Sequence, residues 1–452
     1  MRDDVPADAM SNGPLSPLAA RLRARGWLAR IGRGHALTAG AISMVLRAVL
    51  LVGKFAFMVV LAGYTSPSTL GVYALLVTIV TIAIYIIGLE IHTFTAREIV
   101  SEDAAGHGAI HIQSHFITVA MIFLVAVPVV WWFTGWLGIA GKFSFALLTA
   151  IILCESFGQE LGRYLMVLSR PVASNILQFL RGAAWMPAPI LLLMLGARAH
   201  AMDIILWAWL VGTIAACLFG FWHIRQYFRT RGRYRMAWLT EAFLSARHYL
   251  VVALLTQVQY YSDRFIIQRS LGEGVVGVYS FYQSFANTMV AFVQTGVVSV
   301  LLPQLLLAAK RDDVVAERKT RATMMAWAMA LAVGISVTLG AGMPVLLGQL
   351  HKDAYAGSLS DFYILLVGNV ILVAGLVVHL ALYARRRDVD LMRVSLAFVP
   401  LGLVTNIVVV PIFGITGAAC TFALTALLEF VVKSRILMRT GSDASRSKEK
   451  CS

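Results

Sequence analysis

Ala62-Gly63-Tyr64-Thr65-Ser66-Pro67-Ser68-Thr69-Leu70-Gly71-Val72-Tyr73-Ala74 follows one long apolar run, and Gln268-Arg269-Ser270-Leu271-Gly272-Glu273-Gly274-Val275-Val276-Gly277-Val278-Tyr279-Ser280 follows another. Each stretch is a short polar turn, then a Gly-Val-Tyr-small tetrapeptide, then a fresh apolar run. Self-similarity of this kind marks a duplicated unit. Reading outward from the two turns, the first copy holds apolar segments near 36–63, 67–95, 112–136, 144–167, 172–195 and 203–224. The second holds segments near 248–268, 275–306, 323–349, 360–384, 391–411 and 415–435, and the long 275–306 run has room for a kink. Each approaches or exceeds the ~20 apolar residues that carry a helix across a hydrocarbon core ~30 Å thick.

A unit with an even number of spans begins and ends on one side of the membrane, so the two copies are parallel and related by an axis along the membrane normal. The chain therefore predicts an all-α polytopic membrane protein of about twelve transmembrane helices in two six-helix lobes. The expected divisions are an N-terminal cytoplasmic tail over 1–34, a first lobe over 35–224, a basic cytoplasmic linker over 225–247, a second lobe over 248–436 and a C-terminal cytoplasmic tail over 437–452. Residues 1–34 mix acids, prolines and arginines and do not read as a secretory signal.

Composition agrees. With 59% hydrophobic and 13% charged residues and a mean hydropathy of +0.78, the chain has too little polar surface for a soluble enzyme. The net charge of +15 would suggest nucleic acid in a soluble protein, but its placement says otherwise. With both termini cytoplasmic, 29 of the 38 basic residues fall in inside segments and four (Lys142, Arg198, Arg269 and Lys352) in outside loops. That asymmetry is the positive-inside pattern, so the charge orients the helices and no nucleic-acid partner is expected. The linker, with five arginines between residues 225 and 235, reads as a topology anchor touching anionic headgroups. Cys154, Cys217 and Cys420 lie in apolar runs and Cys451 in the tail, which is no disulfide framework. No P-loop, metal-ligand cluster or nucleophile constellation is present, so the sequence points to a transporter without a cofactor, driven by a gradient or by consumption of its substrate. A membrane enzyme joining sugars would be expected to carry a large external loop, whereas the outside loops here are short.

Three segments resemble the Wzx-type polysaccharide and O-antigen flippases of the multidrug/oligosaccharidyl-lipid/polysaccharide (MOP) superfamily. Leu70-Gly71-Val72-Tyr73, with Pro67 before it, is similar to that family's L-x-P-x-x-x-G-x-Y turn. Asp263-Arg264-Phe265-Ile266-Ile267, then Leu271-Gly272 and Val276-Gly277-Val278-Tyr279, resembles its D-R-x-x-I…L-G…V-G-x-Y segment. Pro411-Ile412-Phe413-Gly414-Ile415-Thr416-Gly417-Ala418-Ala419 resembles its P-x-x-G-x-x-G-A-A stretch. The resemblance implies lobes arranged in a V around a central cavity and alternating access in the bacterial inner membrane. It also implies transfer of a polyprenyl-pyrophosphate-linked oligosaccharide for exopolysaccharide, O-antigen or capsule assembly. The partners implied are that lipid-linked oligosaccharide, membrane lipids and glycan polymerase or export machinery. A cation-coupled multidrug or metabolite exporter of the same superfamily, a membrane glycan polymerase or ligase, and a peptidoglycan-precursor flippase are the competing readings.

Charges inside the spans are the candidate site, because each costs about 2.5–3.5 kcal/mol at the bilayer centre unless paired, hydrated or in use. Arg47 and Lys54 are two helical turns apart on one face of the first span, and either line a cationic cavity for a pyrophosphate or pair with Glu90. Arg181 joins them as a candidate substrate-binding cation, or else pairs with Glu155 across adjacent antiparallel spans. Glu90 and Glu155 are the coupling or ion-pair candidates. Glu160 and Arg163 stand at i, i+3 and read as an intrahelical pair. Asp263 and Arg264 either anchor the seventh span or form an outer gate. Gln257, Tyr260, Tyr261, Tyr282, Gln283, Asn287, Gln294, Asn369, His379 and Asn406 suit sugar hydroxyls or interhelical hydrogen bonds.

Overall fold

The structure, a computed structural model, describes residues 33–101, 107–228, 236–350 and 352–449. The expected N-terminal tail through residue 32, the linker arginines at 229, 231, 233 and 235, and Cys451 lie outside the described residues. All regular structure among the described residues is helical.

The first half consists of α1 (Arg33–Tyr64), α2 (Pro67–Gly88), α3 (His92–Ser101), α4 (His107–Trp136), α5 (Phe145–Val167), α6 (Pro171–Gly182), α7 (Pro187–Met194) and α8 (Ala201–Ile224). The second consists of α9 (Met236–Leu271), α10 (Glu273–Val293), α11 (Ser299–Lys310), α12 (Val314–Leu350), the short α13 (Asp353–Ala356), α14 (Leu359–Ala384) and α15 (Asp388–Glu449). Among the described residues, ten helical stretches are long and apolar enough to cross a membrane. One of them, Asp388–Arg439, has 52 residues, about 78 Å at ~1.5 Å per residue, and breaks at Gly414 (φ 62°, ψ −141°), so it suffices for two crossings. The more polar α9 is 36 residues long and adds a further spanning candidate. The result is a multi-pass membrane protein with about the expected number of crossings.

Local chemistry accounts for the breaks. Ser66 caps α2 by accepting from the Thr69 amide, and Pro67 stands at the first turn, where a missing N–H costs nothing. The expected 67–95 span is shorter than its apolar run. It stops at Gly88 because Leu89 and Glu90 take left-handed conformations (φ 47° and 54°), after which the chain restarts as α3. The 172–195 run divides into α6 and α7 at Gly182 and Pro187. The 275–306 run carries its kink as a π turn over Gln294–Val298, one turn ahead of Pro303, whose missing N–H already weakens the ladder there.

The halves meet where α2 crosses α10, and the repeated glycines make that crossing possible. A methyl on Gly71 would lie 1.8 Å from the Glu273 carbonyl oxygen, and one on Gly277 would lie 1.9 Å from the Pro67 carbonyl oxygen. Each copy of the Gly-Val-Tyr turn thus lays its glycine on the backbone of the other copy. Only hydrogen fits at either place.

Candidate functional site

A cavity of about 320 Å³ lies between the halves. Its first-half wall comes from α1 (Leu51, Lys54, Phe55, Phe57, Met58), α2 (Tyr73, Ala74, Val77, Thr78) and Met186. Its second-half wall comes from α9 (Tyr261, Arg264) and α10 (Ser280, Ser284, Phe285, Asn287, Thr288, Ala291). Lys54 and Arg264 stand on opposite walls, and no carboxylate is among the lining residues. Lys54 is exposed on the first-half wall of the cavity. Arg264 is buried, donates to the Tyr260 carbonyl at 3.1 Å and lies 5.1 Å over the Tyr261 ring.

Ser280, Ser284 and Thr288 recur every four residues and so form one stripe on α10. The Ser284 and Thr288 hydroxyls donate to the carbonyls of Ser280 and Ser284 at 2.7 and 3.0 Å, which leaves their oxygens able to accept. Sequence reasoning named Tyr261 and Asn287 but passed over these three and Thr78. Their four-residue spacing was the available signal.

The other sequence candidates lie around this cavity rather than in it. Arg181 on α6 is fixed to the first-half interior: its Nε lies 2.9 Å from Glu155 Oε2 and its terminal nitrogen donates to Gln159 Oε1 at 2.6 Å. Glu155 also accepts from Trp209 Nε1 at 2.7 Å, so each of its oxygens has a partner. This pair lies behind the wall that carries Lys54, close enough for its charges to act on the ammonium. Arg47 is exposed, and its Nε donates to Asn175 Oδ1 at 3.4 Å. Asp263 faces away from the cavity. The Tyr279 hydroxyl donates to its Oδ2 at 2.5 Å, and the Arg264 amide donates to its Oδ1 at 2.7 Å. The outer-gate candidates remain an ion pair: Arg264 lines the central hollow with its Nη1 3.7 Å from Asp263 Oδ1, while Asp263 Oδ2 is turned to the repeat tyrosine.

Glu90 pairs with neither Arg47 nor Lys54. Arg163 bridges it to Glu160, at 2.9 Å to Glu90 Oε1 and 2.8 Å to Glu160 Oε1. Leu89 and Glu90 turn left-handed immediately after α2, and the turn brings the Glu90 carboxylate to this guanidinium. His92, beyond the end of that span, is pushed down to about 3 by burial and by Arg163, so its 3.6 Å approach to Glu90 adds no ion pair. His115 completes the cluster through a 2.5 Å hydrogen bond with Tyr164 Oη, a contact between separate helices that the sequence did not reveal.

Polar contacts between the halves gather at the end that carries the two repeat turns. Lys142 pairs with Glu273, and the Ser68 hydroxyl donates to the same carboxylate at 3.0 Å. Lys352 donates to the Thr65 carbonyl at 3.0 Å and Gln268 to the Leu137 carbonyl at 3.1 Å. At the opposite end the halves touch through the start of α9, where Trp238 Nε1 donates to His111 Nδ1 at 2.6 Å and the indole packs against Phe94.

An inward-closed structure of the lipid II flippase MurJ superposes with a TM-score of 0.71 at 10% identity, over 89% of this chain and 87% of that one. The inward-facing conformation of a multidrug-resistance MATE-family transporter of the MOP superfamily gives 0.69 at 12% identity, over 89% and 98%. The chain shares the fold of these MATE and MurJ structures. An outward-facing MATE structure of that superfamily superposes less well, with a TM-score of 0.61 at 13% identity over 90% and 95%. By sequence, no family model and no curated protein matches the chain.

Proposed function

We propose that the chain is a flippase that carries a polyprenyl-pyrophosphate-linked oligosaccharide across the bacterial inner membrane for exopolysaccharide, O-antigen or capsule assembly. One observation carries the reading. The space between the halves offers Lys54 and Arg264 with no carboxylate on its walls, and it continues into an apolar groove at the bundle surface. That groove, about 510 Å³, shares Leu51, Phe55 and Thr288 with the cavity and reaches Val52 and Phe292, which are exposed. A headgroup with phosphates and hydroxyls suits the cavity, where a guanidinium and an ammonium donate charge-assisted hydrogen bonds. A prenyl tail suits the groove, where it stays in an apolar medium throughout.

In this reading the repeat turns face the outside and the basic segments the cytoplasm, in accord with the placement of positive charge. The α2–α10 glycine seam and the Glu273 contacts close the outer side, and the substrate reaches the cavity from the cytoplasmic leaflet. Once Lys54 and Arg264 hold the pyrophosphate, parting the seam exposes the same site to the outer leaflet, which is alternating access. Glu155 with Arg181, and Glu90 with Arg163 and Glu160, serve as rigid struts of the first lobe that keep the Lys54 wall in place. Glycan polymerase or export machinery would take the product on the outer side.

The shared fold with a lipid II flippase supports a lipid-linked substrate, and the acid-free cavity disfavours an exporter of cationic drugs. Complementation tests it: a deletion strain carrying Lys54→Gln with Arg264→Gln is expected to lose surface glycan at normal protein level. Normal display would sink the reading, and a drug-sensitivity phenotype with intact glycans would favour the exporter.

A further inference from the structure

A second binding site lies away from the central cavity, at the end of the second half opposite the repeat turns. A groove of about 500 Å³ runs between the start of α12, the end of α14 and the last part of α15. Arg318, Arg321 and Arg385 stand on its rim, and Met325, Val378 and Leu437 line its floor. Arg385 is engaged, its Nε lying 2.8 Å from Glu317 Oε1. Arg318 and Arg321 have no carboxylate within ion-pair distance among the described residues, and Arg321 is close enough to Arg385 and Arg318 to feel their charge. Three guanidiniums therefore face one buried carboxylate, beside an apolar trough, where α12 begins and α14 ends. Helix ends of spanning segments lie at headgroup depth.

We propose that this groove binds the phosphate of an anionic phospholipid, with an acyl chain along Met325, Val378 and Leu437. The chemistry selects that occupant. A phosphodiester needs fork-shaped donors and net positive charge, which the two uncommitted arginines supply. A zwitterionic lipid would bring its own cation against them. A free phosphate would leave the apolar floor wet, whereas a lipid covers it. The site is independent of the substrate read for the central cavity, so either can fail without the other.

The test is native mass spectrometry of the purified full-length protein, titrated with phosphatidylglycerol, phosphatidylcholine or inorganic phosphate, with a melting curve for each. Wild type is expected to retain phosphatidylglycerol over phosphatidylcholine and to be stabilised by it but not by inorganic phosphate. Arg318→Gln with Arg321→Gln is expected to weaken that retention about tenfold, about 1.4 kcal/mol. Lys310→Gln with Lys319→Gln removes the same charge from neighbouring exposed positions outside the groove and is expected to leave retention unchanged. Met325→Trp keeps every charge, fills the floor and is expected to weaken retention, which covers the case in which the arginine variant fails to fold. Equal retention of the two lipids, an equal loss in the lysine control, or stabilisation by inorganic phosphate matching that by lipid would each overturn the proposal.

Discussion

Adding one methyl group at Gly71 probes the seam between the halves. The Cβ of Gly71→Ala would lie 1.8 Å from the Glu273 carbonyl oxygen and 2.8 Å from its carbon, so it falls about 1.6 Å short of an ordinary 3.4 Å contact. The obstacle is backbone on α10, so no rotamer change relieves it and the two helices must part. Overpacking of this kind costs about 1–3 kcal/mol. The cost falls on the state in which α2 and α10 cross closely and is released when the seam opens, so the ratio of open to closed molecules rises about 5- to 150-fold. Ser284→Cys, facing the cavity in a background without the native cysteines, reports that ratio through labelling by a membrane-impermeant maleimide added from the outside. Labelling is expected to rise at least fivefold in Gly71→Ala and in Gly277→Ala, and by less than the product in the double variant, because the first methyl has already separated the helices. Gly274→Ala, on the same helix with nothing within 4 Å, is the control and should change nothing. Unchanged labelling together with an unchanged melting temperature in both seam variants would refute the reasoning.

Removing one partner of a buried ion pair strands the other. Arg181→Met is accordingly expected to cost about 3–5 kcal/mol through Glu155, and the Glu155→Gln/Arg181→Gln double variant to recover most of it, as thermal unfolding in detergent will read. Gly414→Ala meets no neighbouring atom, so its penalty is purely that of φ 62°, ψ −141°, about 1–3 kcal/mol, measured as lower yield and melting temperature. Lys54→Gln and Arg264→Gln are each expected to weaken binding of a soluble pyrophosphate analogue about 10- to 150-fold, one lost charge-assisted hydrogen bond of about 1.5–3 kcal/mol, in a titration of detergent-solubilised protein.

The helical fold was legible because lipid imposes it: the length of the apolar runs and the two Gly-Val-Tyr turns each follow from a local rule. The function of the turn glycines was not, since nothing in Gly71 or Gly277 alone says that each will rest on the other's helix. Among the candidate charges, Glu160 and Arg163 were readable as a pair because they share one helix at i, i+3. Glu90 joining them needs the left-handed turn at Leu89 and Glu90, which carries no composition signal. Arg264 was read as an anchor of the seventh span or part of an outer gate, and it stands about two turns before the end of α9, on the wall of the central hollow. Arg181 and Lys54 looked alike in sequence. Only packing separates the one locked against Glu155 from the one facing the cavity.

Leaflet exchange in a defined system tests the central claim most directly. The purified protein is reconstituted into sealed vesicles with a polyprenyl-pyrophosphate oligosaccharide, and the fraction reached by an impermeant glycan probe is followed over time. Wild-type vesicles are expected to exchange the lipid well above protein-free vesicles, with Lys54→Gln/Arg264→Gln at least tenfold slower and Arg47→Gln near wild type. Exchange that is absent in wild type across the glycans tried, or equally fast when both cavity cations are gone, would contradict the account.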